Sequence, residues 1–289
     1  FFDEEMLLDL RLNIMDKYVD KFVITEATYM HSGKSKKLIF DINKFSKFKD
    51  KIIYIAVDKQ PANLEIINEN DSNDTKGSKL INNSVKRENF QREMAKNALE
   101  ESADEDIILI NDIDEIPNLN KINFSNINKK LIIFKQKTFC YKFNLLYQNL
   151  TWHGSRACKK KNLYSPQWLR NIKYRKYPIW RFDIIFSKKK YNNIHYVQNG
   201  GWHFTNIKSP EDIEKKFLNF LHHQDFEASG LKLKDIKEKI QNKKILYDLG
   251  VDQRDYKWDG IKTLNKVSLS EMPDYLSYNY KKYSDWLEI

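Results

Sequence analysis

Asp106-Ile-Ile-Leu-Ile-Asn-Asp-Ile-Asp-Glu-Ile-Pro117 decides the reading of this chain. Ile107 to Ile110 is a continuous apolar run, which predicts a buried strand. It ends on Asp112, Asp114 and Glu115, and Pro117 is expected to stop further pairing. In an extended segment Asp112 and Asp114 point to one side, about 7 Å apart. Open α/β sheets bind ligands beyond the carboxyl ends of their strands. Two carboxylates there repel unless a cation or donor sits between them. Hard divalent cations that also hold phosphates use one or two such groups. The stretch therefore reads either as a Mn²⁺- or Mg²⁺-bridged diphosphate site or as an acidic turn with nothing bound.

The elements before this stretch alternate. Met6, Leu7, Leu10, Ile14 and Tyr18 form one stripe of an amphipathic helix over residues 3–19. Residues 21–26 and 51–57 read as strands, 36–40 as a short strand, and 41–50 as a short helix. Residues 58–79 are polar and predict a long surface loop. A helix over 84–101 follows, with Ser84 as N-cap. This order predicts an α/β protein with a mostly parallel central sheet flanked by helices. Glu26 ends its strand as Asp112 follows its own, so both are expected on one rim. Glu26 is then a candidate for hydrogen-bonding a ribose or base edge, or a solvated strand-end acid. Arg87 and Arg92 are candidates for phosphate contacts or surface roles. His31-Ser-Gly-Lys-Ser35 is not a phosphate loop, because Thr28 stands where the first glycine belongs.

After Pro117 the chain turns aromatic. Residues 130–135, 138–148 and 152–159 read as strands with short turns, 165–172 as a helix, and 180–186 and 194–197 as strands. Asp183 falls mid-strand in this reading. Gln198-Asn-Gly-Gly-Trp-His-Phe204 allows a tight turn and close backbone approach to a ligand. Trp202 is a candidate for stacking on a sugar. His203 is a candidate metal or phosphate ligand, or a satisfied core histidine. Ser209-Pro-Glu-Asp212 opens a helix over 210–225. A second helix is expected over 232–243, and the aromatic tail to Trp286 packs down.

The totals bound the classes. The 289 residues hold 41% hydrophobic and 31% charged residues, which suits one globular domain with a full core. Only 8 glycines and 6 prolines argue against an all-β protein. No apolar run is long enough to span a membrane. The two cysteines, Cys140 and Cys158, make no disulfide framework and fit a reducing cytoplasm. The net charge of +10 suits an anionic partner such as a nucleotide or a membrane surface. The nucleic-acid-binding signatures are absent. The first residue is Phe1, and a missing start is expected.

Several stretches taken together resemble a family. They are Phe1-Phe-Asp-Glu-Glu-Met-Leu-Leu-Asp-Leu-Arg-Leu12, Phe22 to Lys34, Arg87-Glu-Asn-Phe-Gln-Arg92, Ile110 to Pro117, Gly200-Gly-Trp-His-Phe204, and Pro273-Asp-Tyr-Leu to Trp286. The ordered set resembles the glycosyltransferases related to β-1,4-mannosyl-glycoprotein 4-β-N-acetylglucosaminyltransferase, family 17, of GT-A fold. The resemblance implies a single GT-A-type domain over 1–289. Its nucleotide-binding half would be 1–117, and its acceptor-binding half, with a helical C-terminal part, 118–289. It implies inverting transfer of a sugar, typically N-acetylglucosamine, from a UDP-sugar donor to a glycan acceptor with Mn²⁺ or Mg²⁺. Asp114 would ligate the metal, with Asp112 reaching the metal through water or the ribose. His203 would complete the metal or phosphate contacts, and Glu26, Arg87, Arg92 and Trp202 would serve the nucleotide sugar. Members begin with a short strand that is absent here, Asn111 replaces a frequent Asp, and Phe220 to Phe226 is one residue longer than the family pattern.

Inversion requires a carboxylate to take the acceptor's proton. The candidates are Asp225, Glu115 and Asp183. Asp225 is preferred because it follows the helix leaving the Gly-Gly-Trp-His element, while Glu115 serves equally as a brace of the acidic turn. The competing readings are a sugar nucleotidyltransferase, which lacks its glycine loop here, and a lectin-like glycan-binding protein using Trp152, Trp168 and Trp202.

Overall fold

The computed structural model describes residues 1–175, 177–178, 180, 182–184, 186–219, 226–227, 229–248, 258 and 262–288. The chain is α/β and packs as two compact units.

The first unit comprises Phe1–Asp3, Asp20–Ala98 and Asn206–Leu264. Strands β1 (Phe22–Ala27) and β2 (Ile52–Val57) pair in parallel, as their apolar runs predict, with Glu26 opposite Ala56. Residues 36–40 form no strand. Within this segment the Ile39 and Phe40 amides donate to Glu26 at 2.9 and 3.1 Å instead of to a strand neighbour. A 3-10 segment, Ile42–Lys51, stands where the short helix is expected and buries Phe45 and Phe48. The expected loop over 58–79 is partly helix. Helix α2 (Asn73–Glu93) starts behind Ser72, whose side chain accepts the Thr75 amide. Ser84 lies inside this helix, its hydroxyl donating to Leu80 O at 3.0 Å, so it is no N-cap. The helix start went unread because its first two turns are mostly polar and show no apolar stripe. Ala27, Tyr29 and Val57 form a small core against Phe90 and Met94.

The second unit comprises Glu4–Val19, Leu99–Thr205 and Asn265–Ile289. Helix α1 (Glu5–Met15) buries Leu7, Leu8, Leu10, Leu12 and Met15. The acidic stretch begins at β3 (Ile107–Ile110), the edge of a four-stranded sheet ordered β3-β8-β5-β9. There β8 is Arg156–Lys159, β5 is Leu131–Phe134 and β9 is Ile194–Val197. Strand β3 pairs antiparallel with β8, and β5 parallel with β9.

A five-stranded sheet is ordered β11-β7-β6-β10-β4. Here β4 is Glu115–Pro117, β6 Gln136–Cys140, β7 Leu145–Trp152, β10 Gly201–Thr205 and β11 Asn265–Lys266. The sheets are mixed, so the expected mostly parallel sheet is met only in part. Short turns such as the one joining β6 and β7 return the chain antiparallel. Pro117 does not end pairing: it lies in β4 opposite Gly201, which an edge strand tolerates. Helix α3 (Pro166–Asn171) is capped by Ser165 and carries Leu169 into a core of Leu131, Ile133, Cys158 and Ile194. Asp183 sits in a 3-10 turn, Phe182–Ile184, and pairs with Lys190 at 2.7 Å. The strand expected over 180–186 is therefore not formed at the described positions.

In the first unit, α4 (Pro210–Asn219) packs on α5 (Leu233–Gln241). Phe217 stacks on Phe226 at 5.3 Å and meets Trp258 edge-on at 5.7 Å. In the second unit the tail packs down as expected. Leu276 of α6 (Asp274–Tyr278) is buried, and Tyr283 meets Phe143 edge-on at 5.8 Å.

Candidate active site

Beyond β3 the chain makes a turn instead of staying extended. The Asp112 carbonyl accepts the Glu115 amide at 3.1 Å, and Glu115 Oε2 accepts the Asp112 amide at 3.0 Å. This reciprocal pair closes the acidic stretch on itself, so the alternation expected for Asp112 and Asp114 does not apply. Two half-buried cations compensate the acids. Arg170 of α3 donates to Glu115 through Nη1 to Oε2 at 2.8 Å and Nη2 to Oε1 at 2.5 Å, and Nη2 also meets Asp112 Oδ2 at 2.6 Å. Burial alone would lower the Arg170 pKa, but the Asp112 and Glu115 carboxylates raise it above its usual value. Arg11 of α1 donates to the carbonyls of Asp112 and Glu115 at 2.9 and 2.8 Å and to Asn111 Oδ1 at 2.5 Å. Burial lowers its pKa to about 10, against the pull of Glu115, Asp112 and Asp114.

The two arginines do different work. Arg170 neutralises side-chain charge, whereas Arg11 collects carbonyl oxygens that a turn would otherwise leave unpaired. Neither is singled out by sequence reading. A usable signal was there: the chain has only 8 arginines among its 50 basic residues, and Arg11 interrupts the apolar run Leu10–Leu12.

The three acids separate by burial. The Glu115 side chain is 1% exposed, Asp114 21% and Asp112 40%. Besides Arg170 and the Asp112 amide, Glu115 accepts the Trp152 indole N–H at 2.6 Å. Gly154 permits this approach, since a Cβ there would strike the Glu115 carboxylate and the Trp152 ring. Glu115 is thus held as a brace, while Asp112 and Asp114 keep solvent-facing surface. The Asp114 carbonyl accepts the Phe204 amide at 2.8 Å, which ties the turn to β10.

His203 in β10 lies opposite Glu115 in register and is buried. Its ring stacks on Trp152 at 4.4 Å, and its Nε2 lies 3.7 Å from Asp114 Oδ2. Its Nδ1 is buried with no hydrogen-bond partner among the described residues. Asp114 and His203 thus bring one carboxylate oxygen and one ring nitrogen within 3.7 Å of each other. Among the described residues no three His, Cys, Asp or Glu side chains converge into a metal cage. The residues fit a divalent cation that takes its other ligands from a diphosphate and water, and they do not fit a protein-only cage.

The remaining candidates lie elsewhere. Trp202 is the strand neighbour of His203, and alternation puts it on the opposite face of the sheet from the acid turn. Its indole N–H donates to Glu271 O at 2.8 Å. In the first unit Glu26 is fully buried, and besides the two amides it takes Lys36 Nζ at 2.5 Å and the Tyr54 hydroxyl at 2.9 Å. Burial would raise its pKa, but Lys36, the two amides and Tyr54 outweigh this and hold it below the usual carboxylate range. Arg87 donates to Gln60 Oε1 at 2.8 Å and His31 O at 3.1 Å and lies against Gly33, while Arg92 pairs with Glu88 at 2.8 Å. Asp225 lies outside the described residues. Cys140 and Cys158 are buried thiols whose pKa values burial pushes up to about 12, so neither is a ready nucleophile.

Compared with known proteins, residues 1–287 match the sequence model of glycosyltransferase family 17. No curated protein matches the chain, and no solved structure does. No described helix is long and apolar enough to cross a membrane.

Proposed function

The chain belongs to glycosyltransferase family 17 and is a glycosyltransferase, acting between a sugar donor and a glycan acceptor, and from this premise we propose that it is an inverting, Mn²⁺- or Mg²⁺-dependent enzyme of GT-A type that transfers N-acetylglucosamine from its UDP derivative to a glycan hydroxyl. The observation that carries this reading is the braced acid turn. Glu115, Arg170 and Arg11 spend their hydrogen bonds on holding residues 112–115 still. Asp114 and His203 then face one another with polar atoms 3.7 Å apart. A turn fixed by two arginines, with Asp112 and Asp114 keeping part of their surface in solvent, is organised to bind a ligand. Such preorganisation is what electrostatic stabilisation of a leaving group requires.

In the proposed reaction the acceptor hydroxyl oxygen attacks the anomeric carbon as the bond to the β-phosphate oxygen breaks. The hydroxyl proton passes to the Asp225 carboxylate, and UDP leaves with its diphosphate charge. A divalent cation, when bound, would supply charge neutralisation on that diphosphate, and Asp114 and His203 are the residues that would hold it. Asp112, oriented by Arg170, would reach the same ligand or the ribose. Glu115 is a positioning residue, its carboxylate taken up by Arg170, the Asp112 amide and the Trp152 indole. Donor-side groups therefore come from both 1–117 and 118–289, since Arg170 and His203 belong to the latter. Within the first unit, Glu26 holds the Ile39 and Phe40 amides, Arg87 holds the His31 carbonyl, and Arg92 pairs with Glu88 inside α2.

Titration of UDP with Mn²⁺ into the parent, Asp114→Asn and Asp225→Asn chains tests the assignments together. The account expects Mn²⁺-dependent binding to vanish in Asp114→Asn. In Asp225→Asn it expects binding to persist while transfer is lost. Unchanged binding in the first variant, or full turnover in the second, refutes the corresponding role.

A further inference from the structure

A cavity of about 540 Å³ lies within the second unit, bounded by α1, the turn at residues 118–121, Trp202 of β10 and the segment 270–275. It does not belong to the acid turn. His203 faces Asp114, and its strand neighbour Trp202 faces the other side of the same sheet. We propose that this cavity is a second saccharide-binding site, separate from the reaction centre, for a neutral oligosaccharide.

Size, charge and chemistry agree on that occupant. The volume falls in the range of roughly 300–1,000 Å³ typical of small-molecule sites. Trp202, Tyr18 and Tyr275 are aromatic residues of the lining, and the Asn118 and Asn120 amides can donate to sugar hydroxyls, with Asn120 Oδ1 accepting the Tyr18 hydroxyl. Trp202 is already oriented by its indole bond to Glu271 O at 2.8 Å. Lys137 is paired with Glu271 at 2.5 Å, and Lys17, Lys121 and Asp274 are the other charged lining residues, so the lining carries little net charge despite the basic chain. A strongly anionic ligand finds little uncompensated charge there. The ligand class rests on the reading of the chain as a glycan-modifying enzyme.

The test uses the full chain, with chitotriose and mannotriose as probes, followed by calorimetry and saturation-transfer NMR with and without UDP. Saturable binding of at least one probe is expected, not displaced by UDP. Trp202→Ala is expected to weaken it by about tenfold or more, as is Tyr18→Ala, whose side chain is 37% exposed and removable without opening the core. No saturable binding, displacement by UDP, or unchanged affinity in both variants overturns the proposal. Hydrolysis of the UDP-sugar by the parent chain is measured alongside. Hydrolysis without saccharide binding overturns the second site alone, whereas loss of both overturns the functional reading as well.

Discussion

Arg170 grips Glu115 at two points, Nη1 to Oε2 at 2.8 Å and Nη2 to Oε1 at 2.5 Å, with the Glu115 side chain only 1% exposed. Fork-to-carboxylate pairing of this kind is geometrically specific as well as strong. Removing one partner leaves the other charged and buried, which costs roughly 3–5 kcal/mol. Arg170→Gln is therefore expected to destabilise the fold on that scale. Adding Glu115→Gln is expected to cost less than the sum of the single variants. Arg170→Lys should recover only part, because an ammonium cannot make the two parallel bonds. Denaturant unfolding of the parent and these four variants measures this, and strict additivity would contradict the pairing.

Gly154 is a second brace. Its missing side chain is what lets the Glu115 carboxylate and the Trp152 indole meet at 2.6 Å. Gly154→Ala forces one of them aside and is expected to cost about 1–3 kcal/mol as overpacking. It should also weaken Mn²⁺-dependent UDP binding by moving the turn. A shift in the unfolding midpoint together with the binding isotherm decides it, and wild-type values in both would count against the geometry.

Glu26 predicts a pH dependence in the first unit. Its folded-state pKa is lowered, so its contribution is present above the unfolded carboxylate value and is lost as pH falls through the folded value. Glu26→Gln is expected to destabilise at neutral pH by about 1–3 kcal/mol, since Lys36 and the two amides lose a charged acceptor. The gap between parent and variant should close as pH drops below about 4. Unfolding measured at stepped pH reads this gap, and a gap that stays constant into acid would remove Glu26 as the titrating group.

Local signals carried the reading a long way. Apolar runs located β1, β2, β3, β5 and β9, and the Ser-Pro-Glu-Asp signal located the start of α4. Sheet membership was less legible because pairing is non-local. Nothing in Ile107–Ile110 states that its neighbour is β8. The start of α2 is hidden by its polar first turns, and Pro117 stays within a strand because β4 is an edge. At the candidate site, the acids and His203 were visible as residue types at a strand end. The turn that folds Asp112 onto Glu115 was not, because it depends on Arg11 and Arg170, 101 and 58 residues away from Asp112. Trp202, a candidate for stacking on a sugar, is set on the other face of the sheet from His203 by strand alternation.

Hydrolysis of UDP-N-acetylglucosamine with and without Mn²⁺ is the most direct measurement, because water replaces an unknown acceptor. The account predicts slow release of UDP that requires the cation and disappears in Asp114→Asn. Release that proceeds equally after chelation and in Asp114→Asn, or no release with any UDP-sugar at saturating Mn²⁺, would contradict it.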